Sequence, residues 1–442
     1  MRRNLGFALV ALAALSFAGV TWFAWKGAMG LVGLVLVLVS FGAYIGSGFC
    51  LDRDTRKPLD NLAKVVFTLV GILALLRHPI EAEGTALPLY EALWIYVQEV
   101  DPKTFVMWGL AAMLIKFVGV ISSAFAWHIL LRGQGVVYPF WSKIMTAFLI
   151  GRFIGTFLPS TIGLDGYTLY EAGKYSNQWA RVVTAKALEK FIGVTGLFLG
   201  MVITLPFGYQ VLVDVMTTAG SPEAAPAMAG AILVVAGSIS SAVVVGLVRP
   251  IVLVKVMELV ERVAGAIPMG DRIGGRVVNL LKGFTGAVGA YHGKVGILLL
   301  ALFAKFVTHF TTAVVYFFTA LAIGVVGAKF WPIVFGSTIQ ILATLLSPTI
   351  AGEGAREAFQ ALLLSKQLNG VAPAVLSGAL GFIAAEAATL WGGIFLWTRT
   401  PEWRPAFTLV DGKQVDYAWI SEDDAGFDAE KLAELRARHQ EG

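Results

Sequence analysis

The sequence predicts an all-α membrane protein of about eight transmembrane helices and two re-entrant hairpins, arranged as an inverted-topology repeat. The first observation is composition: of 442 residues, 57% are hydrophobic and only 14% are charged, and the mean hydropathy is +0.75. Such a composition is typical of an integral membrane protein and excludes an ordinary soluble domain. The second observation is a series of long apolar runs, and the third is a pair of helix-breaking segments that share one pattern.

Eight apolar runs approach or reach the length needed to cross a bilayer. They cover residues 5–24, 31–50, 63–76, 104–131, 188–207, 227–248, 296–326 and 372–397, of which the third is the shortest. Most lysines and arginines fall in alternate loops between these runs, and the side that holds them is expected to be cytoplasmic. This distribution predicts cytoplasmic N- and C-termini in a bacterial inner or plasma membrane. It also assigns Lys174, Lys186 and Lys190 to the cytoplasmic side.

Two segments interrupt the apolar pattern with the same order of residues: a proline, a glycine four positions later, and an acid followed directly by glycine. Their residues are Pro159, Gly163, Asp165 and Gly166 in the first segment, and Pro348, Gly352, Glu353 and Gly354 in the second. Backbone can leave helical geometry at membrane depth only where it is buried in protein or lines a polar cavity. The flanking charges predict a re-entrant hairpin from the cytoplasmic side at 146–171 and one from the outer side at 331–362.

Two similar hairpins of opposite direction predict an inverted repeat with a binding site near the bilayer midplane. Repeat 1 is expected at about 104–207 and repeat 2 at about 295–397, within a transmembrane domain of residues 61–397. Residues 1–60 are expected to add two N-terminal transmembrane helices. Residues 249–294 are expected to form a cytoplasmic amphipathic linker, and 398–442 a cytoplasmic polar tail.

Ionisable side chains at membrane depth are costly, so they normally face the protein interior and pair with one another. The candidate substrate-binding or transport residues are Arg152, Asp165, Glu189, Lys305, His309, Glu353, Arg356, Glu357 and Glu386. Bases beside helix N-termini suit an anionic group such as a phosphate, so the expected partners are membrane lipids with anionic headgroups. Three roles for the carboxylates stay open: they hold the bases in place, they exchange protons during transport, or they form purely structural pairs. Lys116 is expected to snorkel towards the membrane surface.

No catalytic residue, metal site or cofactor is predicted. The sequence has no Gly-x-Ser-x-Gly, no His-Glu-x-x-His and no P-loop. With a single cysteine, Cys50, the chain cannot form an internal disulfide, and its five histidines are scattered. No nucleic-acid partner is expected, and the sequence leaves the oligomeric state open.

Three stretches resemble a known family. They cover residues 157–167 (FLPSTIGLDGY), 187–193 (ALEKFIG) and 347–357 (SPTIAGEGARE). They are similar to the transmembrane region of lysylphosphatidylglycerol synthases, also called the flippase-like domain family, over roughly residues 61–397. The resemblance implies a polytopic module that moves a lipid with a charged or glycosylated headgroup between leaflets, or that assists an enzyme making such a lipid.

The resemblance also assigns motif positions, and the chain departs from the pattern in two places. The residues at motif positions are Asp165, Glu189, Glu353, Arg356, Glu357 and Glu386. The aminoacyl-transferase domain of the full-length synthases is absent, so the resemblance does not imply lipid lysylation by this chain alone. The arginine expected shortly after the first acid is replaced by Tyr167, Thr168 and Leu169, which leaves the headgroup open.

The sequence therefore predicts a flippase or transporter for a lipid of the phospholipid or polyprenyl-phosphate type, rather than an enzyme. Two alternatives stay open. One is an integral-membrane transferase with a lipid-phosphate donor, in which Glu353 or Asp165 could act as the base. The other is an ion-coupled transporter of a small water-soluble anion, in which the same acids carry protons. A flippase of this kind could also have a lipid-synthesising enzyme as a partner.

Overall fold

The computed structural model of the protein describes most of the chain. The described residues are 2–28, 31–48, 50–51, 53–82, 85–157, 162–176, 178–249, 286–347 and 352–398, with 252, 255, 282, 349, 409–410 and 413–414. Pro159 and Pro348, most of the predicted linker 249–294 and most of the predicted tail 398–442 lie outside the described residues.

Helices account for nearly all of the described structure. Their bounds are α1 Arg2–Trp25, α2 Leu31–Ser47, α3 Arg53–Arg77, α4 Leu89–Glu99, α5 Pro102–Gly133, α6 Thr146–Phe157, α7 Tyr167–Ser176, α8 Trp179–Thr218, α9 Ala225–Val248, α10 Val295–Ala322, α11 Phe330–Leu346, α12 Ala355–Leu364, α13 Val371–Ala387 and α14 Gly392–Thr398. The other elements are two short antiparallel hairpins, β1 Pro79–Ala82 with β2 Thr85–Pro88 and β3 Leu409–Val410 with β4 Lys413–Gln414. There are also π-helical turns at Phe140–Met145 and Ile162–Gly166 and a 3-10 turn at Pro222–Ala224.

Seven of the predicted spans coincide with helices that are long and apolar enough to cross a membrane, counted over the described residues. These helices are Asn4–Trp25, Pro58–Arg77, Pro102–Gly133, Trp179–Thr218, Pro222–Val248, Val295–Ala322 and Val371–Thr398. The remaining predicted run, 31–50, forms the shorter helix α2 of 17 residues. The run at 63–76 lies within the longer helix α3, because helical structure extends back through the polar residues that precede it. The prediction of an all-α polytopic membrane protein is confirmed.

The chain forms two compact units. Unit I consists of Met1–Ala111, Gln210–Pro222 and Tyr316–Phe382. Unit II consists of Ala112–Tyr209, Glu223–Val315 and Ile383–Gly442. The two helix-breaking segments fall in different units, the first in unit II and the second in unit I, and each is described within its own unit.

The first segment folds as a helical hairpin in unit II, called here the early hairpin (residues 146–176). Its first helix, α6, has 12 residues, is about 18 Å long, and directly continues a π-helical turn at Phe140–Met145. A π-helical turn at Ile162–Gly166 follows the break and leads directly into α7. A Cβ added at Gly163 would overlap the backbone of Gly155, so the turn packs directly on α6. Glycine at position 163 is therefore needed for this close approach.

The second segment folds similarly in unit I, as the late hairpin (residues 330–364). A Cβ added at Gly336, near the start of α11, would meet the side chain of Leu364 at the end of α12, so these two helices run antiparallel. Gly352 and Gly354 have φ values of +73° and +78°, in the left-handed region that favours glycine. These conformations explain why the break carries two glycines.

The sequence pattern predicts that a helix begins after Gly166 and another after Gly354. Helix α12 does begin directly after Gly354, whereas helical structure in the early hairpin already begins at Ile162, in the π-helical turn that contains Gly166. We predict that both hairpins re-enter the membrane and that they do so from opposite sides. The positions at which helices begin and end do not test this, because they do not identify the side of a bilayer.

An apolar core in unit II surrounds the charged residues described below. It contains Trp127 from α5, Phe148 from α6, Leu188 and Ile192 from α8 and Leu298 from α10. Because these side chains are almost completely buried, the helices that carry them are held in one arrangement. Polar groups on the same helices consequently have fixed neighbours.

Candidate functional site

Glu189 on α8 is the centre of a buried group of charges in unit II. Lys305 on α10 donates from Nζ to Oε1 of Glu189 at 2.5 Å, and Lys186 donates to Oε2 at 2.6 Å. All three side chains are buried. Lys305 also donates to the Ser123 hydroxyl at 2.8 Å. One carboxylate is thus shared by two ammonium groups.

Asp165 connects the turn of the early hairpin to the same group. It accepts a hydrogen bond from Lys190, and the Nζ atom of Lys186 lies 3.7 Å from its other carboxylate oxygen. The Lys186 ammonium also lies 3.9 Å from the ring centroid of Trp127, a cation–π contact. The acid that the sequence places at the hairpin tip therefore orients two lysines of α8.

Lys186 and Lys190 were missed as site residues by the sequence reasoning, which assigned them to the cytoplasmic side only. Helix α8 begins at Trp179, not at the predicted 188, so both lysines lie within it. A signal was available in the spacing, because residues three and four apart on a helix lie on one face. Lys186, Glu189, Lys190 and Gly193 follow that spacing.

Arg152 and Glu386 form a second ion pair in unit II. The Nη2 atom of Arg152 on α6 lies 3.3 Å from Oε1 of Glu386 on α13, and Thr156 donates to Oε2 of the same carboxylate at 2.5 Å. Arg152 also donates from Nε to the Thr389 hydroxyl at 3.4 Å. Both charged side chains are about four-fifths buried, with exposed fractions of 20% and 18%. This pair joins the early hairpin to α13.

Lys116 is a buried cation near this second pair, and the prediction that it snorkels is wrong. It lies near the middle of α5, too far from either helix end for its side chain to reach the membrane surface. Its Nζ atom donates to the Thr312 hydroxyl on α10 at 3.1 Å. Among the described residues this neutral hydroxyl is its hydrogen-bond partner, and no carboxylate lies within salt-bridge distance of it.

The charged groups of unit II described above lie close enough to interact electrostatically. Lys116 lies within electrostatic range of Arg152 and Glu386, and His309 lies within electrostatic range of both Lys116 and Lys305. We call the lysines, the arginine and the acids of this set, without His309, the basic cluster. Its members are Lys116, Arg152, Asp165, Lys186, Glu189, Lys190, Lys305 and Glu386, five bases against three acids. The excess of positive charge suits an anionic ligand.

The late hairpin carries a different polar centre in unit I. Arg356 donates from Nε and Nη2 to Oε1 of Glu357, at 2.8 and 2.5 Å, and its guanidinium lies 4.3 Å from the ring centroid of Phe382. The Gly354 amide donates to Oε2 of Glu357 at 2.8 Å. The start of α12 is therefore capped by its own glutamate, and the positive charge of Arg356 is balanced locally.

The structure thus separates the predicted site residues into two groups. Arg152, Asp165, Glu189, Lys305, His309 and Glu386 lie in unit II, whereas Glu353, Arg356 and Glu357 lie in unit I. Glu353 makes no hydrogen bond or ion pair with the described residues. Among all the residues that the structure describes, no group of three His, Cys, Asp or Glu side chains could hold a metal ion.

The fold and its buried charges define an integral membrane protein with a basic cluster among its helices. More specifically, the chain belongs to the family described as Lysylphosphatidylglycerol synthase TM region, whose model matches residues 61–396, about three quarters of the chain. The match confirms the resemblance seen in the hairpin motifs and indicates a membrane lipid-related function. No curated protein and no solved structure matches the chain.

Proposed function

We propose that the protein moves a lipid with an anionic or glycosylated headgroup between the leaflets of the membrane. The observation that carries this proposal is Lys116, a buried cation whose hydrogen-bond partner in the described structure is a neutral hydroxyl. A buried charge without a directly paired counter-ion is costly, and a bound anion would reduce that cost. The lipid phosphate is the anion that this interior would meet in a membrane.

The neighbours of Lys116 support the same assignment. Arg152 lies within its electrostatic range, and the bases of the basic cluster outnumber the acids. Asp165, Glu189 and Glu386 then act as holders of the bases, because each accepts hydrogen bonds from basic side chains at fixed positions. A headgroup phosphate would approach Lys116 and Arg152 and leave the Glu189 pairs intact.

Lys116→Met tests the proposal directly. The substitution keeps the length of the side chain and removes its charge, so we expect movement of fluorescent phosphatidylglycerol in reconstituted vesicles to fall by about tenfold or more. Movement of zwitterionic phosphatidylcholine should change little. The melting temperature should stay equal or rise, because an unbalanced buried charge has been removed. Lys103→Met, at an exposed position of the same helix, is the matched control.

Other results of the same assay would contradict the proposal. A lower melting temperature together with an equal loss for both lipids would indicate a purely structural lysine. If water-soluble glycerol phosphate crosses as fast as the lipid, the chain is a transporter of small anions. If no lipid moves but a new lipid product accumulates from a lipid-phosphate donor, the chain is a transferase. It would then make the lipid itself and would not need a separate lipid-synthesising enzyme as a partner.

We also propose that the two hairpins enter the membrane from opposite sides as an inverted repeat, with both termini cytoplasmic. The support is their shared design, an apolar helix, a glycine-containing break and a second short helix. Cysteines at the exposed positions Lys174 and Lys366, in a Cys50→Ala background, should react with an impermeant maleimide from the cytoplasmic and outer faces respectively. Labelling of both positions from one face would exclude the inverted repeat.

A further inference from the structure

Three buried polar side chains of the late hairpin have hydrogen-bonding atoms without partners among the described residues. The hydroxyl of Ser337, the Oε1 atom of Gln340, and both polar atoms of the Gln360 amide lack any hydrogen bond there. The exposed fractions of these residues are 0%, 1% and 0%. Buried amides and hydroxyls almost always have partners, so these atoms call for a partner that the described residues do not supply.

The three side chains lie in one region of unit I. Ser337 and Gln340 are three residues apart on α11, hence on one face. Gln340 lies within interaction range of the Tyr316 side chain. The Tyr316 ring packs beside Gly381 of α13, and Gln360 of α12 packs beside Gly378, one turn away. Gln360 and the Tyr316 ring therefore contact the same glycine face of α13, and Gln340 lies near that ring.

The glycines of α13 leave space for these polar groups. A Cβ at Gly378 would lie 3.3 Å from Cβ of Gln360, and a Cβ at Gly381 would overlap the Tyr316 ring. Small residues at such positions allow polar side chains to pack within a membrane interior where leucine would exclude them. The two uncharged amides and the hydroxyl of these packed helices offer both donors and acceptors.

The charged pair that borders these amides is balanced, in contrast to the basic cluster. Arg356 is neutralised by Glu357, whose second oxygen is occupied by the Gly354 amide. Tyr316 lies within electrostatic range of both charged residues, so the neutral pair borders the amide region. A site with hydrogen-bonding amides and balanced charge suits a neutral polyhydroxylated group rather than a phosphate.

We infer that Ser337, Gln340 and Gln360 bind the hydroxyl groups of a neutral polyol in the lipid headgroup, either a glycerol or a sugar. The inference rests on the proposed function for the lipid itself, and it concerns a site within unit I alone. The unpartnered Oε1 atoms accept from ligand hydroxyls, and the Gln360 Nε2 atom donates to a ligand oxygen.

Equilibrium binding to the full-length protein in detergent micelles tests the inference with three short-chain lipids of equal phosphate charge. Dioctanoyl phosphatidylglycerol carries glycerol hydroxyls, phosphatidylinositol carries a ring polyol, and phosphatidylmethanol carries no hydroxyl. We expect the wild type to bind one or both of the first two at least about tenfold more tightly than phosphatidylmethanol, a difference of about 1.4 kcal/mol. The tighter of the two identifies a glycerol or a ring as the source of the hydroxyls.

Gln360→Met should reduce that preference to near unity without lowering the melting temperature, because methionine fills the same volume with no unpartnered amide. Ser337→Ala is a milder second variant, and Gln98→Met, at an exposed glutamine of unit I, is the control. Equal binding of all three lipids by the wild type, or an unchanged preference in Gln360→Met, would overturn the inference and indicate buried water. If the preference exists but vesicles show no lipid movement, this inference stands while the transport proposal fails.

Discussion

Glu189→Gln is expected to lower the free energy of unfolding by about 3–5 kcal/mol, the largest effect of any single change in the basic cluster. Glu189 accepts from Lys305 at 2.5 Å and from Lys186 at 2.6 Å, and all three groups are buried. Glutamine keeps the shape but removes the negative charge, so Lys305 retains only neutral partners, including the Ser123 hydroxyl. Reversible unfolding in mixed detergent micelles gives the measurement.

Lys305→Met is the informative comparison, because the two ends of this ion pair are not equivalent. When Lys305 is removed, Glu189 keeps Lys186 as a counter-ion, so the expected loss is smaller, roughly half of that for Glu189→Gln. The double variant Glu189→Gln with Lys305→Met should recover part of the stability, since the unbalanced ammonium is gone. Equal losses in the two single variants would contradict a carboxylate shared between two lysines.

The positions of both hairpins were predictable from sequence because they depend on local backbone chemistry. A proline followed by glycines and an acid interrupts the helix in both segments. Helix α12 begins directly after Gly354, whereas the helical structure ahead of α7 begins at Ile162. The charged residues were predictable for a related reason: a bilayer makes ionisable groups expensive, so those that occur stand out.

The partners of those charges were not predictable, because sequence gives depth along a helix but not the neighbour that it faces. The residue type and depth of Lys116 predict that it snorkels, but the rotation of α5 brings its ammonium group to the Thr312 hydroxyl. The extension of α8 to Trp179 brought Lys186 and Lys190 into the cluster. The sequence does not single out Ser337, Gln340 and Gln360. Neutral polar side chains are less costly in a membrane than charged ones, so they do not stand out within an apolar run.

A final prediction concerns the close approach of α8 and α10, on which the geometry of the Glu189–Lys305 pair depends. A Cβ added at Gly196 would lie 2.8 Å from the carbonyl carbon of Lys305 and 2.8 Å from the amide nitrogen of Phe306. These are backbone atoms, so no side-chain rotation can relieve the overlap. Gly196→Ala is therefore expected to cost about 1–3 kcal/mol from overpacking, and more where the 2.5 Å contact between Lys305 and Glu189 lengthens.

Gly193→Ala is the matched control, three residues earlier on the same helix. Its added Cβ would have Lys305 Cδ at 3.9 Å as its nearest neighbour, an ordinary van der Waals contact. Since alanine also favours the helix over glycine by about 1 kcal/mol, this variant should be neutral or slightly more stable. Unfolding in micelles and movement of fluorescent phosphatidylglycerol should both fall in Gly196→Ala and stay unchanged in Gly193→Ala. If the two variants behave alike, helix separation does not control the ion pair, and the basic cluster tolerates a looser arrangement than its distances indicate.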